Sequence, residues 1–265
     1  MIRRTLKFAS RVVEAGIKAY STMVGSGQYL DATDVSSGNR SPITPISRDS
    51  KDTFRPWDRL TVLGIARSIK ENVGFAKGAV GDVRRFSIGE GIKAISACED
   101  SSVRPAYDDY FDTWSEIGEV TQRHDMRTLD GLMSEAMDVD GDFGIVLTET
   151  PTKYAQIQVI ESHCIGDRRI FSGEDGFYDG VKLNLVGRPV AYKVRRQIEE
   201  EDVFEVVSAR DFIHVFDASR FDSIRGLSAF THGINHIRDK RDTLSLIKRS
   251  EEHTSELQSP CTISY

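Results

Sequence analysis

The sequence predicts an α+β protein: N-terminal helices, then a mostly antiparallel strand-rich region, then a long terminal helix. Two observations carry this prediction. Between Trp57 and Met137 apolar residues return at steps of three and four, the period of a helix face. Between Phe143 and Phe216 the pattern changes to short β-branched and aromatic runs broken by Gly, Pro, Asp or Glu. Helices followed by strands, without strict alternation, argue against a doubly wound sheet.

In chain order, residues 1–24 read as an amphipathic basic segment, because Arg11, Glu14 and Lys18 interrupt what would be the apolar core of a signal peptide. Residues 25–56 are dense in Gly, Ser, Asp and Pro and read as a flexible linker. The body spans 57–248. Leu60, Leu63, Ala66, Ile69, Val73, Ala76 and Val80 share one helix face, with Asp58 favourable in the first turn. A short β-like run lies between the glycines of GDVRRFSIGEGIKAI. A second helix starts at Pro105, with Tyr107, Phe111, Trp114 and Ile117 or Gly118 on one face. A third covers Met126 to Met137, with Leu129, Leu132, Met133 and Ala136 inward.

Six strands follow, in FGIVLTET, AQIQVIES, GVKLNLV, PVAYKVRR, DVFEVVS and DFIHVF, with a hairpin around Val186-Gly187-Arg188. Leu227, Phe230, Ile234, Ile237, Arg241, Leu244 and Lys248 then step by three and four on a long helix with heptad-like spacing. Residues 249–265 read as a non-native tail. The run from Arg249 to Ser259 looks like one translated frame of a common sequencing adapter, and is set apart from the fold.

Composition bounds the function classes. The chain has 265 residues, long enough for a sizeable core, and 35 Lys plus Arg are outnumbered by 41 Asp plus Glu, which argues against a globally basic nucleic-acid binder. No stretch approaches a membrane span. Cys98, Cys164 and Cys261 show neither zinc-site nor disulfide-framework spacing, so a reducing compartment is the default.

Candidate chemistry is thin. Asp138, Asp140, Asp142 and Glu149 fall at positions 1, 3, 5 and 12 of a calcium-loop template, but Phe143 stands where that loop needs Gly, and a strand follows instead of a helix. A polar helix-to-strand turn is the plain reading, and a calcium-binding module at 138–149 is the alternative. His163 and Cys164 are loop neighbours, and His214 reads as a hydrogen-bonded sheet residue. His232 and His236 have i, i+4 spacing, but Gly233 stands where H-E-x-x-H has Glu, so a metal-dependent hydrolase lacks its base. No phosphate cradle or G-x-S-x-G elbow is present. The pairs Arg84-Arg85, Arg168-Arg169 and Arg195-Arg196 read as solvated faces. No catalytic, cofactor-binding or metal-binding residue is assigned, and no cofactor is implied.

The succession of segments is more telling. Ala66-Arg67-Ser68-Ile69 through Asn72, then Gly78-Ala79-Val80 and Ile88-Gly89-x-Gly91, resembles the start of lambda-family bacteriophage portal proteins. Trp114, then Asp140-Gly141-Asp142-Phe143, Gln158-Val159-Ile160-Glu161, Asp179-Gly180-Val181 and Gly187-Arg188-Pro189-Val190-Ala191-Tyr192 continue the resemblance in order. Phe212-Ile213-His214-Val215-Phe216 and Arg225-Gly226-Leu227-Ser228 complete it; Ser68, Glu71 and Ser223 depart from the usual residues.

The resemblance implies a non-enzymatic ring subunit, usually one of twelve, with a wing-like α+β region. It would sit at one capsid vertex of the virion after assembly in the host cytoplasm. The implied partners are further copies of itself, the large terminase subunit, the major capsid or scaffold protein, head-completion or tail connector proteins, and double-stranded DNA passing without sequence specificity. No membrane is implied. Another capsid or connector subunit is the rival within this class. Against the family's usual length the chain is expected to be a front part, leaving the apolar positions of its last helix uncovered.

Overall fold

The structure is a computed structural model that describes residue 49 and residues 55–166, 176–198 and 201–257. The segments assigned above to 1–24 and to most of 25–56, and the pair Arg168-Arg169, lie outside the described residues. Helix α1 spans Pro56–Asn72, with Pro in its first turn, where no N–H is needed, and Asp58 facing the positive end of the helix dipole. Val73 is extended (φ −117°, ψ 102°), and α2 begins afresh at Gly74 and runs to Ser87. The single helix expected from Trp57 to Val80 is therefore two. The apolar period hid the break because Ile69, Val73, Ala76 and Val80 stay buried across it.

The short strand expected near Ile88 is absent. α2 absorbs Val83 to Ser87, and Gly89 and Gly91 adopt positive φ (59° and 101°), so these glycines end a helix instead of flanking a strand. Helix α3 (Arg104–Ile117) buries none of its residues. Its aromatic face leans on the next sheet through Trp114, whose indole N–H donates to the carbonyl of Ala155 at 2.7 Å, while Tyr107 and Tyr110 stay exposed.

Helix α4 (Met126–Val139) is capped by Asp125, whose carboxylate accepts from the Thr128 N–H at 2.8 Å. Leu129 and Val139 point inward, but Leu132 is exposed. The buried face turns instead toward Gly131, where the Arg84 guanidinium lies so close that a Cβ would approach its Nε to 2.3 Å.

All six expected strands are present. β1 (Asp142–Glu149) is central to a three-stranded antiparallel sheet, flanked by β2 (Ala155–Glu161) and β7 (Phe212–Phe216). A second antiparallel sheet runs β3 (Phe177–Tyr178), β4 (Val181–Leu183), β5 (Pro189–Ile198), β6 (Glu201–Ser208). The expected β4–β5 hairpin turns through Gly187 at φ 83°. Val146, Ile160, Ile165, Val181, Tyr192, Val194, Val207 and Phe212 form one core between the sheets. Tyr192 of β5 stacks on Phe212 of β7 with ring centroids 4.1 Å apart, directly bridging them. A separate helical core joins Val62, Ile69, Val73 and Ala76 to Ile234.

The last helix, α5, spans Ile234–Leu257. Leu227 and Phe230 precede it, in a link and a 3₁₀ turn (Ala229–His232), so the heptad-like helix begins later than its spacing suggested. The helix also continues past residue 248. Ser, Glu and Leu support helix as readily as the sequence before them, so the backbone shows no boundary at residue 248. Among the described residues no helix is long and apolar enough to cross a membrane.

Two backbones cross where β1 begins. A Cβ at Gly226 would lie 2.0 Å from the Gly141 carbonyl oxygen, and Gly141 itself sits at φ 90° against the Leu227 backbone. Gly226→Ala is expected to lower stability by about 3 kcal/mol or more. Gly78→Ala, in open space on α2, is expected to raise it by about 0.5–1 kcal/mol. Urea unfolding of both variants checks the contrast.

Candidate functional site

Where α1 meets the two sheets, a closed network of charged groups is buried. Its centre is Arg225, on the link between β7 and the 3₁₀ turn, with a side chain only 5% exposed. A guanidinium carries five N–H donors, and all five are used. Nε donates to Asp142 Oδ2 at 2.5 Å and Nη2 to Asp142 Oδ1 at 3.0 Å, a bidentate pair. Nη2 also donates to the Ser162 carbonyl at 3.0 Å, and Nη1 to the carbonyls of Ile165 (3.0 Å) and Asp179 (2.7 Å). One side chain thus ties the start of β1, the turn after β2 and the entry to β4.

Asp142 is fully buried and accepts from more than Arg225. The Ser162 hydroxyl donates to Oδ1, and the Gly226 N–H (3.2 Å) and His214 Nε2 (3.2 Å) point at Oδ2. A carboxylate only accepts, so His214 carries its proton on Nε2. Helix α1 joins through Arg59, whose Nε and Nη2 donate to Asp179 at 2.6 and 3.1 Å and whose Nη1 donates to Ser162 Oγ at 2.8 Å. Two arginines face two aspartates, and the set is neutral.

Burial works to raise the Asp142 carboxyl, but Arg225, the His214 hydrogen bond and Arg59 outweigh it and hold the group well below the carboxylate range. Asp179 is likewise lowered, by Arg59 and Arg225 against its burial. Burial lowers His214, and the Asp142 contact opposes it only in part.

A second, more open layer lies beside the first. Arg67 of α1 grips Asp140 through Nε (2.8 Å) and Nη2 (2.5 Å), and Nη2 also reaches Glu161 at 2.8 Å. The His163 hydrogen bond and Arg67 bring Glu161 down to about 2, against the cost of burial. His163, beside Cys164 and Glu161, is pushed up to about 9. On α4, Glu135 bridges Lys70 of α1 (2.6 Å) and Arg84 of α2 (2.7 Å).

This geometry dismantles the calcium alternative. Asp140 and Asp142 spend their oxygens on Arg67 and Arg225. Glu149 stands exposed at the far end of β1, seven residues or roughly 23 Å of extended chain from Asp142. Asp138 keeps one buried oxygen without a hydrogen bond, and burial raises its carboxyl. Among the described residues no cluster of His, Cys, Asp or Glu is arranged to hold a metal ion.

His214 is hydrogen-bonded in its strand as expected. His232 and His236 are exposed, but His232 belongs to the 3₁₀ turn and His236 to the first turn of α5, so they do not share a helix face. Arg84 pairs with Glu135, Arg85 with Asp82, Arg195 with Asp202 and Arg196 with Glu205. Arg59 and Ser162 escaped the sequence reading. Arg59 had a signal, since it lies three and four residues before Val62 and Leu63, on the buried face of α1.

Asp, Ser and His come together here, but not as a nucleophile with its base. Ser162 donates to Asp142, both are fully buried, and His214 sits on the opposite carboxylate oxygen. The arrangement saturates its own donors and acceptors and so acts as a lock between secondary-structure elements. The family profile of the phage portal protein, lambda family, matches residues 40–245. The chain belongs to that family, whose role is structural, at the virion capsid. Comparison with curated proteins finds no match.

Removing one partner of a buried pair strands the other charge. Arg225→Met and Asp142→Asn are each expected to cost about 3–5 kcal/mol, and the double variant less than the sum, as urea unfolding through the cycle will show. Acid dependence follows from the shifted groups. His214, Asp142, Asp179 and Glu161 all have folded values below their ordinary 6.5, 3.8, 3.8 and 4.5. Each contributes stability above its ordinary value that is lost as pH falls through the folded one. The urea midpoint is therefore expected to start falling near pH 6.5 and to fall steeply below about 4.5. In His214→Gln the first, shallow part of that decline should vanish while the steep part remains.

Proposed function

We propose that the chain is a ring-forming subunit of the bacteriophage portal vertex, through whose central channel double-stranded DNA is packaged and later ejected. The observation that carries this reading is the family match over residues 40–245. The ring has twelve copies, docks the large terminase subunit during packaging and head-completion or tail proteins afterwards, and sits among major capsid or scaffold subunits. It assembles in the host cytoplasm.

The charge balance supports the passive part of this role. With 41 acidic against 35 basic residues, the net charge has the same sign as the DNA backbone, and each phosphate contact a sliding duplex makes must later be broken. The closed Arg225 network supports a body that keeps its shape under load.

Negative-stain microscopy of the full-length protein tests the reading: closed rings with a central channel are expected, and exclusively open filaments or monomers would contradict it. Filter binding of duplex DNA to the ring tests the passive channel. Weak retention is expected, whereas tight binding that collapses between 50 and 200 mM salt, the mark of many phosphate contacts, would sink it.

A further inference from the structure

Two helices each leave one face uncovered, and the two faces carry opposite charge. On α3, no residue is buried, and at 100° per residue Asp109, Asp112 and Glu116 fall in one stripe opposite the Phe111–Trp114 side that leans on β2. All three are exposed, and none has a side-chain partner among the described residues. Exposed Ile117 and Tyr110 lie between this stripe and the Phe111–Trp114 side, with the Tyr110 ring 6.1 Å from that of Tyr154.

Helix α5 buries its first turn through Ile234, which is 0% exposed, and then runs out of cover. Lys240, Arg241, Leu244, Ile247 and Lys248 share one face with a single acid, Glu251, and Lys240 lies over the Phe75 ring of α2 at 4.7 Å, whereas Asp239 and Asp242 lie on the other side. Leu244 and Ile247 are about half exposed, at 49% and 47%. Arg241 and Lys248 make no ion pair among the described residues. This is an apolar strip rimmed by cations. The α3 surface is an anionic stripe with an apolar margin. Within one chain the two helices do not pack closely: α5 rests on the 3₁₀ turn and α3 on α4.

We propose that the basic, apolar face of α5 docks on the acidic face of α3 of a second copy of this chain. The occupant is set by charge: an exposed surface that complements α5 is carried by the same molecule. α3 against α3, or α5 against α5, would bring like charges together, so those contacts are disfavoured. Two different patches that pair head to tail propagate from copy to copy, and such a contact closes into a ring when the rotation permits. The inference rests on the ring reading above and names the surfaces through which neighbouring copies meet.

Charge swaps on the full chain, read by sedimentation, test it. Arg241→Glu with Lys248→Glu, or Asp112→Lys with Glu116→Lys, should each raise the dissociation constant for self-association by about 100-fold. Mixing the two variants should restore association, because each then meets a complementary neighbour on both sides, and so should placing all four changes in one chain. These residues are exposed, so the circular-dichroism melts should stay as in the wild type. Association that survives the swaps, or single variants that mixing does not rescue, overturns the pairing while rings seen by microscopy leave the portal reading standing. A variant altered only on α5 that loses association, beside an α3 variant that keeps it, points to duplex DNA or another occupant on α5 and also overturns it. A wild-type chain still monomeric at about 1 mM contradicts both readings.

Discussion

The structure turns on one guanidinium. Arg225 is buried with five donors and nothing to spare, and its partners come from three places: the start of β1, the turn after β2 and the entry to β4. Arg59 extends the same network into α1 through Asp179 and Ser162. Taking two arginines and two aspartates out of water is costly, and apolar residues of the same volume could stabilise the junction as well or better. What charge supplies that apolar packing does not is direction. Hydrogen bonds of 2.5–3.1 Å fix which strand start faces which turn and hold α1 in a single register against both sheets.

Apolar packing and close backbone contact build on that frame. The Tyr192–Phe212 stack bridges the sheets on one side of the network, and the helical core around Val62 and Ile234 closes the other. Gly141 and Gly226 let two backbones touch beside Asp142, which brings the Gly226 N–H within reach of its carboxylate. The result is a body whose helices and sheets move as a unit. That suits the structural role of its family. The uncovered surfaces lie on α3 and on the later turns of α5, at a distance from the lock.

Much of this was legible in the sequence, for definable reasons. Six of the seven strands were found because a half-buried antiparallel strand alternates every two residues and ends at a turn residue, whereas β3, only Phe177–Tyr178, is too short to show a period. The break at Val73 was invisible because burial continues in phase across it. The glycines at 89 and 91 looked like strand punctuation and act as helix terminators. Asp142 drew attention for the wrong chemistry: its spacing from Asp138 and Asp140 mimics a calcium loop, while its true partner lies 83 residues away. Arg59 meets Asp179 across 120 residues. Local pattern can place a charged residue on a buried face, as it does for Arg59, but which opposite charge meets it is decided by the tertiary fold. Arg225 and Asp179 stood out only as parts of a family resemblance, with no role attached.

The central claim is that the Arg225 network makes α1 and the two sheets one cooperative unit. Native-state hydrogen exchange reads this most directly, through the amides of Val62, Val146 and Tyr192, buried in α1, the first sheet and the second. The account predicts that all three exchange with the same opening free energy and the same urea dependence, and that Arg225→Met lets them separate. Three distinct opening energies in the wild-type protein, unchanged by the substitution, would contradict it.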